Sequence, residues 1–272
     1  MRVARLLGVL VLVYALVRLP TSADATAGGM AFLQFNMCGN VCGTRFAVVA
    51  DLEREITSHR PQPYVVTLQE VCRSQYDRLV ADLPYHGHFE PTIRDRCWDG
   101  TDYGIAVLVR TSDVERLGSW PLPSPAGGEP RTISCVRTAA LVACVTHLDT
   151  DAANTPSQVA AVASRAGSYR ASGPVVVGGD FNTTPDSAAI RPMYDLFAEA
   201  DSADGEPTGG CSGAPCGQRR GYHRPTRKID YLFLSRTGFT GVTADATSAP
   251  HSDHTPLWAI ADPPGPHRPP PP

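Results

Sequence analysis

Residues 174–182 read Pro-Val-Val-Val-Gly-Gly-Asp-Phe-Asn. Three valines follow a proline, and two glycines then deliver the chain to Asp180 and Asn182. A short β-branched run bounded by turn residues reads as a strand buried on both faces. Such a strand needs a layer above and a layer below it. Its polar end must then emerge at a rim, where a concave site forms.

The flanking sequence supplies those layers. Pro156–Ala171 has a helical pattern that Gly173 closes. Arg131–Val136 and Leu141–Leu148 are two apolar runs around a polar turn, a hairpin that Cys135 and Cys144 would cross-link. Gly104–Arg110 is an apolar strand, and Tyr64–Gln69 is another that runs into Glu70. Met30–Asn36 alternates apolar and polar residues as a strand does. Phe46–His59 is predicted helical, with Phe46, Val49, Leu52 and Ile56 on one face and Pro61 and Pro63 ending it. Ser74–Leu83 is a shorter helix. Ile229–Leu234 and Leu257–Ala261 are the last strands. Helices falling between strands predict an α/β fold with two layers of sheet flanked by helices, as one domain. The halves 30–150 and 151–262 taken separately could not cover both faces of a sheet.

Of the 272 residues, 42% are hydrophobic and 19% charged, which excludes a disordered chain. The net charge of −3 excludes a strongly basic nucleic-acid binder but not an enzyme that meets phosphate through a metal. The N-terminus has its own pattern: Arg2 and Arg5, the apolar run Leu6–Val17, then Ala23-Asp24-Ala25. That is the order of a secretory signal peptide over residues 1–25, and the run is too short to span a bilayer. Cleavage there leaves 21 basic and 26 acidic residues, a domain over 26–262 and a proline-rich tail over 263–272. Export makes the eight cysteines candidates for disulfides. Spacing suggests sequential pairs, Cys38–Cys42, Cys72–Cys97, Cys135–Cys144 and Cys211–Cys216, against a zinc site as the alternative.

The chemistry-bearing residues sit at strand ends: Asn36, Glu70, His147, Asp180 with Asn182, and then Asp230 and the Ser252-Asp253-His254 stretch. Singly, each has an ordinary reading as a turn residue, a solvated acid or a satisfied histidine. Together they suit phosphoester hydrolysis. A hard divalent cation held by carboxylates offsets the substrate's charge, with Glu70 and Asp253 as its candidate ligands. Asp180, held by Asn182, suits activation of water. Asp230 beside His254 suits a histidine oriented for proton transfer.

The ordered set FN, LQEV, THL, GGDFN, KIDYLFLS and SDHTPL, running from Ala31 to Ala261, resembles the endonuclease/exonuclease/phosphatase superfamily, the deoxyribonuclease-I-like proteins. The resemblance implies a four-layer α/β/β/α sandwich and a divalent-metal phosphohydrolase using Mg2+, with Mn2+ as a substitute and Ca2+ as a further candidate. It implies Asn36 near the scissile phosphate, Glu70 on the metal, and Asp180 and Asn182 around the water and phosphate. It also implies that Asp230 pairs with His254 and that Asp253 supports the metal or the phosphate. His147 would be a second acid/base group, with Asp102 as its carboxylate partner and Asp149 and Asp151 as rivals. Arg131 is a candidate phosphate contact. Arg220, Arg224 and Arg227, beside Arg219 and Lys228, would form a phosphate rail. A monomeric nuclease acting on DNA, and on RNA as a further substrate, is the leading reading. A sphingomyelinase-like or small-metabolite phosphodiesterase is the alternative, favoured if aromatics near Trp98 or Trp120 are exposed. A non-catalytic module of the same fold would need these positions to have decayed, and all are present.

Overall fold

A computed structural model describes residues 29–125, 127–201, 228–247 and 249–263. The signal-peptide segment, the Cys211–Cys216 pair, Arg219, Arg220, Arg224, Arg227 and nearly all of the proline tail lie outside the described residues. The elements in chain order are β1 (Met30–Asn36), α1 (Ala47–Ser58), β2 (Pro63–Cys72), α2 (Arg73–Asp82), β3 (His86–Ile93) and β4 (Tyr103–Val109). Then follow β5 (Glu115–Pro121), β6 (Thr132–Arg137), β7 (Val142–His147), α3 (Thr155–Gly167), β8 (Val175–Asp180), α4 (Arg191–Leu196) and β9 (Phe197–Glu199). The chain ends with β10 (Asp230–Ser235), β11 (Thr240–Ala246) and β12 (Leu257–Asp262). They build two six-stranded mixed sheets, ordered β11-β12-β1-β2-β4-β3 and β5-β6-β7-β8-β10-β9.

Three apolar clusters stack these sheets into the expected four layers. Val48, Val49, Leu52 and Ile56 of α1 and Leu79 of α2 pack on Leu33, Phe35, Val66 and Leu68 of the first sheet. On the far side, Val159, Val162 and Ala163 of α3 pack on Val175, Val177 and Phe233 of the second. Between the sheets Phe32, Val65 and Val107 meet Val145, Val176, Leu232 and Leu234. The three consecutive valines are thus explained by period-two alternation: Val175 and Val177 face the helices, and Val176 faces the other sheet.

Toward the polar end of that strand, Gly178 faces the first sheet. A Cβ placed on it would overlap Thr67 Oγ1, so its lack of a side chain sets how closely the two sheets approach.

Four strands had no signal in the sequence: β3, β5, β9 and β11. They are the four edges of the two sheets. An edge strand pairs on one side only, and β3, β5 and β11 are little buried, so glycine, proline and charge are tolerated and alternation fades, whereas β9 is buried but only three residues long. HGHFEPTI and TGVTADA illustrate this. The short helix α4 also went unseen.

Two helix expectations need correction. Phe46 precedes α1 and is 39% exposed, while Val48 takes its place on the inner face. The helix predicted to run to Ala171 ends at Gly167, and a 3-10 turn at Arg170–Ser172 leads to Gly173 at φ 142°.

Three of the proposed disulfides are present, Cys38–Cys42, Cys72–Cys97 and Cys135–Cys144. No described cysteine is left for a zinc site. Cys135 and Cys144 lie directly opposite across the β6–β7 hairpin. No helix among the described residues is long and apolar enough to cross a membrane.

Gly178→Ala should lower the unfolding free energy by about 1–3 kcal/mol through overpacking, read by urea titration. Adding Thr67→Ala should recover part of that loss. A Gly178→Ala protein as stable as the parent would show that the sheets are not in contact there.

Candidate active site

The pairing of strands decides which polar residues share a rim. β1 and β2 are parallel, so Asn36 and Glu70 leave the first sheet at one end. β7 and β8 are also parallel, with His147 opposite Asp180. Asp230 begins its strand rather than ending one. Because β10 is antiparallel to β8, it nevertheless lies opposite Asp180. β12 runs antiparallel to β1, so the loop before it, carrying Asp253 and His254, arrives at the same rim. Ser252 pins that loop: its Oγ donates to Asn36 O at 2.8 Å and accepts the His254 N–H at 3.0 Å.

Two site residues stand in the left-handed backbone region, Glu70 at φ 55° and Asn182 at φ 48°. The β2–β4 register slips between Leu68 and Val71, and these two residues, three apart, both face the helix layer. A bulge at Gln69–Glu70 reconciles them and turns Glu70 out of the strand's alternation. Non-glycine residues at positive φ cost energy and concentrate where a site needs a side chain aimed.

Asp180 Oδ2 is the focus. Asn36 Nδ2 donates to it at 3.1 Å, His254 Nε2 lies at 3.6 Å and His147 Nε2 at 3.7 Å. Its other oxygen accepts the Asn182 N–H at 2.9 Å, while Asn182 Nδ2 donates to Leu148 O at 3.0 Å. Asn36 Nδ2 also donates to Glu70 Oε1 at 3.0 Å, and that oxygen is 4.0 Å from His147 Nε2. His254 Nδ1 is bound to Asp230 Oδ2 at 2.8 Å. Asp253, half exposed, reaches within 4.0 Å of His254 Nε2. All eight residues named from the sequence as catalytic or metal-binding therefore converge.

The two histidines are in opposite charge states. Burial opposes a proton on His254, but the Asp230 carboxylate, by charge and hydrogen bond, overcomes it and raises the pKa to about 10. His147 has burial, then the positive charges of Arg131 and His254, all acting to keep it neutral, well below its ordinary range. Burial and the neighbouring Asp230 push Asp180 up to about 7. Burial is the larger cause and the Asp230 carboxylate the second. Glu70 and Asp180 meet at the Asn36 amide nitrogen and Asp230 lies opposite Asp180; hard oxygen donors of this kind suit a hard divalent cation. Asp180, Asp230 and His254 also present ligand atoms within 4.8 Å of one another. His254 Nδ1 is already engaged by Asp230, so the carboxylates are the better donors.

Some assignments change. Neither Asp102, Asp149 nor Asp151 holds His147: Asp102 accepts the Asp95 N–H, Asp149 holds the Asp151 N–H and Asn154, and Asp151 caps Ala153. The carboxylates beside His147 are those of Glu70 and Asp180. Arg131 is buried, not a solvated edge residue. It lies 3.1 Å from Glu129 Oε1, and its Nε has no hydrogen-bond partner among the described residues. It lines a small cavity with Tyr103, Glu129 and His147.

The sequence reading missed a buried layer beneath the site. Gln34 and Gln69 exchange amide hydrogen bonds at 2.5 and 2.9 Å, and Thr67 Oγ1 donates to Gln34 Oε1 at 2.8 Å. Gln34 Nε2 also reaches Asp230 Oδ1 in the other sheet at 3.2 Å. The only available signal was glutamine standing at inward positions of apolar strands.

The family model "Endonuclease/Exonuclease/phosphatase family" matches residues 33–254. The chain belongs to this family. It is accordingly a phosphoric ester hydrolase. Among solved structures, the catalytic domain of human Nocturnin with bound sulfate is similar at 19% identity, TM-score 0.64, over 88% of this chain and 95% of that one. An endonuclease/exonuclease/phosphatase from Bacteroides vulgatus is similar at 19% identity and TM-score 0.63, covering 86% and 98%. TDP2 from Caenorhabditis elegans is similar at 18% identity and TM-score 0.60, covering 86% and 75%. At these identities the likeness establishes the fold. No curated protein sequence matches significantly.

In metal-free protein, Asp230→Asn should lower the His254 titration from about 10, because its largest opposing charge is removed while burial stays and only Asp180 and Asp253 remain to offset it. NMR titration of the ring reads this. The same raised pKa makes a stability prediction. His254 holds its proton more tightly folded than unfolded, so its contribution is complete below pH 6.5 and is lost as pH rises through about 10. Asp230→Asn should flatten that part of the thermal-melting profile.

Proposed function

We propose that the protein is a secreted, divalent-metal-dependent nuclease that hydrolyses DNA, and RNA as a further substrate, acting as a monomer. The observation that carries the hydrolytic reading is the focus on Asp180 Oδ2, where an amide donor, a neutral histidine and a cationic histidine surround one carboxylate oxygen.

Asp180, steadied by the Asn182 N–H, takes the proton of the attacking water. Asn36 offers its amide at the reacting phosphate's position and keeps Glu70 and Asp180 apart. His254, charged and held by Asp230, is placed to stabilise phosphate oxygen and to protonate the leaving oxygen. His147, neutral, is the second acid/base group. Glu70 and Asp253 would hold Mg2+, with Mn2+ as a substitute and Ca2+ as a further candidate. When bound, the cation supplies charge neutralisation at the phosphoryl oxygens and lowers the pKa of water. Arg131, with Arg220, Arg224 and Arg227 outside the described residues, would contact flanking phosphates. The similar Nocturnin domain takes up sulfate, a tetrahedral oxyanion like phosphate. Export is supported by the N-terminal pattern and by the pairing of every described cysteine, as an oxidising compartment favours.

A specific observation favours a second reading. Val41 is 73% exposed and Phe46 39%, the two exposed large hydrophobics among the described residues. Phe46 packs edge-to-face on the half-buried Trp98. All three flank the turn that follows Asn36, where an apolar ledge would suit a phospholipid rather than a nucleic acid.

The mature protein should therefore be offered plasmid DNA, RNA, sphingomyelin vesicles and inositol phosphates, with Mg2+ and then with EDTA. Metal-dependent nicking of plasmid is the expected result. Phosphocholine release with intact plasmid would transfer the assignment to the lipid. His254→Ala and Asp180→Ala should each lower turnover by about 10²–10⁴-fold without loss of folding. Glu70→Gln should raise the Mg2+ concentration needed for half activity, and an unchanged titration would remove Glu70 as a ligand.

A further inference from the structure

The turn after Asn36 is closed on itself by the Cys38–Cys42 disulfide. Cys38 is buried and Cys42 is at the surface. The ring is short, so it restrains the unfolded chain less than the Cys72–Cys97 bridge, which spans 25 residues. Global stability is therefore a weak reason for it.

Its local effect is more specific. Cys38 is held at φ 47°, a conformation unfavourable for any residue with a Cβ. That conformation aims the Cys38 N–H at Asn36 Oδ1, 3.0 Å away. An asparagine amide has a donor end and an acceptor end. With Oδ1 held by Cys38, Nδ2 must face Glu70 Oε1 and Asp180 Oδ2. The flipped amide would set an oxygen lone pair against two carboxylates and leave the Cys38 N–H opposite an NH2. The disulfide also lies near the loop before β12, where Cys38, Cys42 and Asp253 present side-chain atoms within 4.8 Å of one another.

We propose that the Cys38–Cys42 disulfide is a positioning element that locks Asn36 with its amide nitrogen toward the two carboxylates. The proposal rests on the phosphodiesterase reading for its catalytic consequence, but not for its structural one. Turnover of plasmid with Mg2+ should fall about 10- to 100-fold in the Cys38→Ser, Cys42→Ser protein, with KM changed less than about twofold. In an Asn36→Ala background the same pair should change turnover by less than about twofold, because the amide it orients is gone. Equal losses in both backgrounds would overturn the proposal.

A second measurement is independent of catalysis. Exchange of the Asn36 side-chain NH2 and of the residue-38 amide, read by NMR, should accelerate when the bridge is removed; unchanged exchange overturns the proposal as well. Should the unmodified protein cleave no ester offered, the functional reading fails while exchange alone still decides the positioning role. If the double variant does not fold, native protein treated with a trialkylphosphine serves instead. The phosphine takes oxygen from one water to become its oxide and leaves two thiols. Alkylation mapped by mass spectrometry should find the Cys38–Cys42 bridge opened before the buried Cys72–Cys97 and Cys135–Cys144 bridges, and the same exchange changes should follow.

Discussion

The amide of Asn36 touches both sheets at once. Its nitrogen donates to Glu70 of the first sheet and to Asp180 of the second, and its side chain is fully buried. One layer deeper, Gln34 makes the same crossing to Asp230. Burying amides and carboxylates together is costly unless every donor finds an acceptor. That requirement fixes the spacing of the two sheets at their polar end far more tightly than the valines and leucines behind them do. Gly178 belongs to the same constraint, since a side chain there would force Thr67 away from Gln34.

Charge follows from this packing. Three carboxylates, Asp180, Asp230 and Glu70, stand close together with little water to separate them. The fold answers with buried positive charge, Arg131 and His254, the latter's proton held by Asp230, and burial with these two charges keeps the second imidazole neutral. Two histidines on either side of one carboxylate oxygen thereby differ in charge, a difference that neither residue type nor chain position encodes. The remaining negative charge makes the rim a natural place for a hard cation. The backbone contributes as well. Glu70 and Asn182, and Cys38 beside them, hold left-handed conformations within four residues of a strand end, so rigid ladders on one side aim otherwise unfavourable turns on the other.

A second buried ion cluster shows the same logic away from the rim. Lys228, the only lysine in the chain, is buried with Nζ 2.7 Å from Glu199 and 2.9 Å from Asp201. Removing one member would strand the others' charge in the interior. It stands two residues before Asp230, so the start of β10 is held by the lysine cluster and by the bonds of Asp230 to Gln34 and His254.

Much of this was legible from the chain alone. Central strands read clearly because burial on both faces demands uninterrupted β-branched residues, as in residues 174–178, and the eight polar residues at or near their ends could be named because their order along the chain matches one family. The edge strands could not be read, since pairing on one side leaves hydrophobic pattern weak. Nor could the partner of His147: Asp102, Asp149 and Asp151 were the candidates, but the carboxylates beside it are those of Glu70 and Asp180, 77 positions before and 33 after. Sequence by itself determined which chemical groups the protein carries and which strands would be central. Only the tertiary structure decided which groups touch, which histidine is charged and which way the Asn36 amide points. Those depend on distances and burial between segments far apart in the chain, and local residue patterns carry no information about either.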